Sequence, residues 1–198
     1  MSKSTKDRLI SAAKRLFSER GFDGVSIADV ASELNITKQA LLYHFGKKEA
    51  LYAAVLQDIS ERFLKDLDTF GPSEGAPEEQ LEAFFLAHFR SGARDQEGMR
   101  LVMRELLDNH GRVSRAKDWY LRPYLDGLVA KVRAVPSASG RSDEELFAFI
   151  YQIIGASSYM TISNATLAGM YGKKRYSSIE AAWRKVQSET IRHFLAGK

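Results

Sequence analysis

Two consecutive helix-start signals lie in residues 25–46, VSIADVASELNITKQALLYHFG. At the first, the Ser26 hydroxyl can accept a hydrogen bond from the Asp29 amide while the Asp29 carboxylate reaches back to the Ser26 amide. Val25, just before this cap, can pack against Val30 and fix the angle at which the chain enters the helix. The pattern predicts a second helix whose buried face is formed by Ile27, Val30, Ala31 and Leu34.

The second signal follows within one turn. Asn35 tolerates the left-handed backbone conformation that ends a helix, Thr37 can cap the next helix, and Ile36 can pack against Leu41. A third helix is therefore predicted from about Lys38 to Phe45, with Leu41 and Phe45 pointing inward.

A first helix is predicted from about Lys6 to Arg20. Ser4 or Thr5 can cap it, and Gly21 can end it in the left-handed conformation that a residue without Cβ adopts easily. Its apolar stripe is formed by Leu9, Ala13, Leu16 and Phe17. Two short helices joined by a tight turn and supported by an earlier helix make a helix-turn-helix.

The third helix carries side chains suited to reading DNA. Its amino-terminal end would bring Thr37, Lys38 and Gln39 to the floor of the major groove, where glutamine can pair with adenine and lysine with guanine. Leu42 also faces outward and can touch a thymine methyl group. Base recognition is therefore predicted at this end of the helix.

Phosphate contacts are predicted one turn later. Tyr43 and His44 offer a hydroxyl and an imidazole, and Lys47 and Lys48 place two ammonium groups near the start of the next helix. Each residue also has a purely structural interpretation. Leu42, Tyr43 and His44 can be core residues of a helical bundle, and the two lysines can belong to a solvated turn. Those interpretations do not explain why two caps occur at turn spacing just before this run.

Composition narrows the class of protein. The chain has 198 residues and no cysteine, which excludes disulfides, thiolate nucleophiles and cysteine-ligated metals. The formal net charge is +4, and the first 50 residues hold nine Lys or Arg against six Asp or Glu. No run of 18 apolar residues and no signal peptide is found, so a cytoplasmic protein without membrane contact is predicted.

Signals of enzymes and cofactors are missing from the sequence. It has no P-loop, G-x-G-x-x-G, G-x-S-x-G or H-E-x-x-H pattern, so no catalytic residue and no cofactor is predicted. Its four histidines are too scattered to suggest a metal site: His44, His88, His110 and His193.

The rest of the chain is predicted to be helical, because apolar residues recur at helical spacing and no stretch alternates as a half-buried strand does. An all-α fold of about nine helices results. The fourth helix is predicted from about Lys48 to Thr69, and the others over about 81–89, 99–107, 116–132, 143–171 and 179–195. Pro123 should kink the seventh helix or mark its first turn. Residues 71–77 and 134–142, rich in Gly, Ser, Ala and Pro, are predicted loops.

From Thr5 to Leu51 the sequence closely resembles the DNA-binding domain of the TetR family of bacterial transcriptional regulators. The most specific motifs are A-x-x-L-F-x-x-x-G-F, S-I-x-D-V-A and L-L-Y-H-F-G-K-K-E-A-L, over about a quarter of the chain. The resemblance implies a DNA-binding domain over residues 1–47 and an effector-binding and dimerisation domain over 48–198. It also implies that DNA is contacted by Ser26, Thr37, Lys38, Gln39, Leu42, Tyr43, His44 and Lys48. The family often has an aromatic residue where this chain has Leu42, so a tyrosine hydroxyl contact is absent there.

The resemblance further implies a dimeric regulator, most simply a repressor, that binds a palindromic DNA operator and is released by a small-molecule effector. In the family the two final helices pair with those of the partner, although the apolar eighth helix can also be the core helix of a monomer. Aromatic and polar-tipped residues on the middle helices are candidate effector contacts: Phe85, His88, Met103, Trp119, Tyr120, Tyr124, Tyr151 and Tyr159. His88 can equally be a hydrogen-bonded core histidine.

Two other functions remain open from the residues alone. A helical enzyme or small-molecule carrier can use a helix-turn-helix only for packing. An architectural DNA-binding protein would need no effector, and a sizeable cavity in the carboxy-terminal part would argue against it.

Overall fold

A computed structural model describes residues 4–69, 75–107 and 119–196 of the chain. These residues form ten α-helices and no strand, which confirms the all-α prediction. The helices are α1 (Thr5–Arg20), α2 (Ile27–Glu33), α3 (Lys38–Phe45), α4 (Lys48–Asp68), α5 (Pro77–Arg94), α6 (Gln96–Leu107), α7 (Arg122–Arg133), α8 (Asp143–Ile162), α9 (Asn164–Tyr171) and α10 (Lys173–Leu195).

The first three helices begin at capping residues. Ser4 and Ser26 each form a reciprocal capping box with the aspartate three residues later, and the Thr37 hydroxyl accepts a hydrogen bond from the Ala40 amide. Asn35 has a positive φ of 53°, as predicted for the turn between α2 and α3. Gly21 also has a positive φ, but its ψ of 174° lies outside the predicted left-handed helical region.

By their contacts the described residues fall into two compact units. Unit 1 comprises those within 1–63 and 97–120, and unit 2 those within 64–96 and 121–198. These units differ from the predicted DNA-binding domain (1–47) and effector-binding and dimerisation domain (48–198), because residues 97–120 pack with the amino-terminal helices. The functional boundary at residue 47 stays a prediction.

Unit 1 contains the three amino-terminal helices, most of α4 and nearly all of α6. Its core includes the fully buried Leu9, Phe17, Val30, Leu41 and Leu51. Two polar contacts tie α6 to the earlier helices. Arg104 donates to the carbonyl oxygens of Ser18 and Glu19 at the end of α1, and the Tyr52 hydroxyl donates to the Glu105 carboxylate at 2.7 Å.

Unit 2 is built around an aromatic column between α5, α8 and α10. The rings of Phe149 and Phe194 stack at 3.8 Å, and Phe85 meets Phe149 edge-on at 6.0 Å. On the flank of this column, Arg192 of α10 forms a two-pronged ion pair with Glu82 of α5.

Several sequence-based boundaries need correction. Pro123 lies in the first turn of α7, so Trp119 and Tyr120 precede that helix instead of belonging to it. The predicted eighth helix is two helices that meet at Ser163, bent by 58°. The last helix begins at Lys173, six residues before the predicted start. The predicted loop at 134–142 contains a short 3₁₀ turn, and most of the loop at 71–77 lies outside the described residues.

The buried face of α6 also differs from the one that apolar spacing predicts, which is formed by Met99, Val102, Met103, Leu106 and Leu107. Leu106 and Leu107 are exposed, because the inward positions are taken by Leu101, Val102 and Glu105. Among the described residues, no single helix is long and apolar enough to cross a membrane. The bent pair α8 and α9 reaches that length and composition only when the two are counted together.

Candidate nucleic-acid interface

The start of α2 presents a hydrogen-bonded cap at the protein surface. The Ser26 hydroxyl accepts from the Asp29 amide at 3.1 Å, and the Ser26 amide donates to the Asp29 carboxylate at 2.7 Å. The Ser26 hydroxyl also donates to the Asp29 carboxylate at 2.7 Å, and this hydrogen bond, together with the one from the Ser26 amide, holds the pKa of Asp29 below its ordinary value. Ser26 and Asp29 therefore satisfy each other and fix the start of α2.

Helix α3 agrees with the predicted division of its side chains in part, because Phe45, which was predicted to point inward, is only half-buried. Leu41 is fully buried, whereas Lys38, Gln39 and His44 are exposed and Tyr43 is 89% exposed. Leu42 is half-buried. An exposed tyrosine with no core contact to make is available for a partner, and a helix of this width fits the major groove.

A surface pocket of about 460 Å³ lies beside α2 and α3. The residues from Asp23 to Asp29 form its wall, and Lys38 and Lys48 approach it from the starts of α3 and α4. The two ammonium groups provide donors that phosphate oxygens accept from, whereas the Ser26 hydroxyl already donates to the Asp29 carboxylate. The pocket thus joins three of the predicted DNA contacts: Ser26, Lys38 and Lys48.

Lys48 has an aromatic neighbour that the sequence did not reveal. Its Nζ lies 4.2 Å from the centre of the Phe22 ring, within the range of a cation–π contact. Phe22 is the last residue of the motif A-x-x-L-F-x-x-x-G-F, but the motif does not show that its ring meets Lys48. Glu105 was missed as well, although a charged residue on the apolar stripe of α6 is a signal that can be recognised.

The candidate effector residues do not form one group in the structure. Met103, Trp119 and Tyr120 belong to unit 1, and the remaining five belong to unit 2. In unit 2, Phe85, His88 and Tyr124 are buried, whereas Tyr151 and Tyr159 are exposed on α8. In unit 1 the Trp119 and Tyr120 rings are neighbours at 5.9 Å.

His88 and Tyr124 contact each other directly. The Tyr124 hydroxyl and His88 Nδ1 lie 3.1 Å apart, and the His88 ring stacks between those of Tyr124 and Phe84. Burial lowers the pKa of His88 to about 4 and raises the pKa of Tyr124 above its ordinary range. Both side chains are therefore uncharged at neutral pH, because burial disfavours their charged forms.

The caps, the tight turn and the exposed third helix form a helix-turn-helix, an arrangement that many DNA-binding proteins use. Residues 9–55 match the family model of the bacterial regulatory proteins of the tetR family. This similarity to the family covers about a quarter of the chain.

The similarity in sequence to curated relatives is confined to this region. The biofilm operon icaADBC HTH-type negative transcriptional regulator IcaR of Staphylococcus aureus is 47% identical over 47 residues, 24% of this chain and 25% of that protein. IcaR of Staphylococcus epidermidis is 37% identical over 59 residues, 30% and 32% of the two chains. The chain thus spans only a quarter to a third of the length of these relatives.

The fold of the whole chain is shared with solved structures. The fatty acid degradation regulator FadR of Bacillus halodurans has a TM-score of 0.72 at 18% identity, covering 100% of this chain and 98% of that one. A TetR-like transcriptional regulator of Rhodococcus has a TM-score of 0.65 at 19% identity and covers 100% of both chains. The likeness therefore extends beyond the DNA-binding region to the fold of the entire chain.

Proposed function

We propose that the protein is a cytoplasmic, dimeric transcriptional repressor that binds a palindromic operator and is released by a small-molecule effector. The observation that carries the proposal is the exposed face of α3 beside a pocket with two lysines. Gln39 and Lys38 supply base-reading groups, and Lys48 and Tyr43 supply phosphate contacts. Repression, rather than activation, is proposed because the two IcaR relatives are named negative regulators.

The dimer is supported by an apolar surface on unit 2. Large apolar side chains lie exposed along α8 and α10, where a monomer would leave them in water. A groove of about 750 Å³ runs beside them between α8 and α10. The exposed residues are Phe147, Tyr151, Tyr159, Ile162 and Val186. A second copy of the chain can cover this face by two-fold symmetry, in which the same patch serves both partners.

The effector is proposed to bind unit 2 near the buried His88–Tyr124 pair. A hydroxyl and an imidazole among aromatic rings can fix the polar end of a partly apolar molecule. Binding there must be linked to DNA release by a coupling free energy, typically about 1–3 kcal/mol, that is the same in both directions.

Selection of genomic fragments by the purified full-length protein, followed by footprinting, tests the proposal. A two-fold dimer should protect two half-sites about one helical turn apart or somewhat more, roughly 34 Å or above. A protein that selects no sequence, or that protects a single unpaired site as a monomer, would disprove the dimeric repressor.

A further inference from the structure

Phe22 is placed as a platform under Lys48. The ring of Phe22 lies 6.1 Å from that of Phe17 and 4.9 Å from that of Tyr52, and the Lys48 ammonium is on its face at 4.2 Å. Two aromatic neighbours restrict how the Phe22 ring can turn. The cation therefore rests on a surface that is itself held by the core of unit 1.

The platform is anchored to α6. Tyr52 packs edge-on against Phe17 at 5.0 Å and donates its hydroxyl hydrogen bond to Glu105 at 2.7 Å. Tyr52 is 4% exposed and Glu105 is 2% exposed, so this contact is shielded from water. A buried hydrogen bond to a carboxylate is among the stronger polar contacts in a protein, and it fixes the Tyr52 ring beside Phe22.

An aromatic ring under a lysine lowers the conformational entropy that the lysine side chain loses when it binds a phosphate. Its flexible side chain loses much rotamer freedom when it is fixed in one place. A ring face attracts the cation and restricts that freedom before DNA arrives. Lys48 also belongs to the pocket that Ser26 and Lys38 line, so the position held by Phe22 is at the candidate phosphate site.

We propose that Phe22 is a positioning residue for DNA binding, which holds the Lys48 ammonium at the phosphate pocket and is itself anchored through Tyr52 to Glu105 of α6. This inference rests on the proposed function, since Lys48 must contact operator DNA. The competing explanation is that Phe22 only fills space in unit 1, in which case its effect on DNA binding would not depend on Lys48.

A double-mutant cycle separates the two explanations. Phe22→Leu keeps an apolar side chain but removes the ring face, and the matched variant Phe22→Tyr keeps the face. Each is made in the wild-type chain and in Lys48→Ala. Affinity for an operator duplex selected by the wild-type protein is measured by fluorescence anisotropy at several salt concentrations.

We expect Phe22→Leu to weaken operator binding about five- to thirtyfold, because an exposed cation–π contact corresponds to about two- to fivefold and a dimer has two. Phe22→Tyr should stay within about twofold of wild type. Lys48→Ala should itself flatten the slope of log affinity against log salt by about 1.8, because a dimer loses two phosphate contacts. When Phe22→Leu is added to Lys48→Ala, operator affinity should hardly change further.

Equal weakening by Phe22→Leu in both backgrounds would overturn the inference, as would an unchanged affinity and salt slope in Lys48→Ala. A wild-type protein that selects no operator would instead disprove the proposed function. If Phe22→Leu fails to fold, proton NMR of the wild type and Phe22→Tyr decides. The Lys48 methylene protons over the ring should be shifted upfield in both, and ordinary shifts would overturn the inference.

Discussion

At the scale of single residues, α3 has a packing face and an exposed face, on which we propose that DNA is recognised. Leu41 is fully buried and Tyr43 is 89% exposed, two positions apart on the same helix. The apolar spacing was enough to predict this division, because a helix that packs on one side must turn its other side outward. The cation–π contact under Lys48 was not predictable, since it joins two residues that are remote in sequence.

Gln39 and Tyr43 should have different effects on DNA binding. Gln39→Ala should cost about 1–3 kcal/mol and relax the preference at one base pair per half-site, because it removes a bidentate contact to a base. Tyr43→Ala should weaken binding to all sequences alike, because it removes a phosphate contact. Affinities for a panel of operators with single base changes measure both effects.

An unchanged sequence preference in Gln39→Ala on every duplex of that panel would remove Gln39 from the base-reading residues. Glu33→Ala, at the exposed end of α2, offers a control that removes an exposed ion pair with Arg15 of α1 and changes no side chain of α3.

The Glu82–Arg192 pair should make stability depend on pH. The hydrogen bond from Arg192 holds the pKa of Glu82 below its ordinary value of 4.5. The pair therefore stabilises the folded state above about pH 4.5 and stops doing so as the pH falls through the lowered pKa. Melting temperatures from pH 3 to 7 should show Glu82→Gln less stable than wild type near neutrality, with the difference shrinking in acid.

Glu79→Gln is the matched control for this pair, because Glu79 is exposed on the same helix α5. Its melting temperature should follow that of the wild type across the pH range. If the difference in melting temperature between Glu82→Gln and the wild type stays constant from pH 7 to 3, the ionised Glu82–Arg192 pair does not contribute to stability.

At the scale of elements, helices were predictable where local capping chemistry defines their ends. The starts of α1, α2 and α3 agree with the sequence to within one residue, since Ser4, Ser26 and Thr37 satisfy amides three residues later. The break at Ser163 gave no such signal. No glycine or proline marks it, and the Ser163 hydroxyl donates within the helix to the Tyr159 carbonyl. Tertiary packing thus decides that boundary.

Arg104 stabilises unit 1 by capping another helix from a distance. Its guanidinium donates to two carbonyl oxygens at the end of α1, where a cation also complements the helix dipole. Arg104→Ala should lower the free energy of unfolding by about 1–2 kcal/mol, the low end for charged hydrogen bonds because the side chain is half-exposed. Urea unfolding measures this change. Arg100→Ala, exposed one turn earlier on α6, should be neutral, and equal losses in both variants would contradict the capping role.

At the scale of the whole molecule, the sequence predicted the fold better than it predicted the effector site. Fold class follows from helical periodicity, which nearly all of the chain outside the predicted loops at 71–77 and 134–142 carries. A binding site depends on which helices meet, and spacing along the chain does not contain that information. Trp119 and Tyr120 were grouped with Tyr124 by sequence, but packing assigns the first two to unit 1 and the third to unit 2.

The proposed dimer is a property of the whole molecule, and the proposed recognition of a palindromic operator depends on it. Tyr159 is 71% exposed on α8 and Val186 is 58% exposed on α10. Burying a carboxylate without a partner is costly, so Tyr159→Glu and Val186→Glu should each prevent association at this face. Sedimentation at micromolar concentration should find the wild type at twice the chain mass of 22.2 kDa and both variants at the chain mass.

The same variants should bind a full palindromic operator at least about tenfold more weakly, because a single recognition helix reads too few bases for tight binding. Leu107→Glu is the matched control, since Leu107 is 71% exposed but lies on α6, outside the α8–α10 face. It should remain dimeric and bind the operator as the wild type does. If Tyr159→Glu and Val186→Glu also remain dimeric with unchanged operator affinity, the α8–α10 face is not the dimer interface, and the two recognition helices must be paired by another surface.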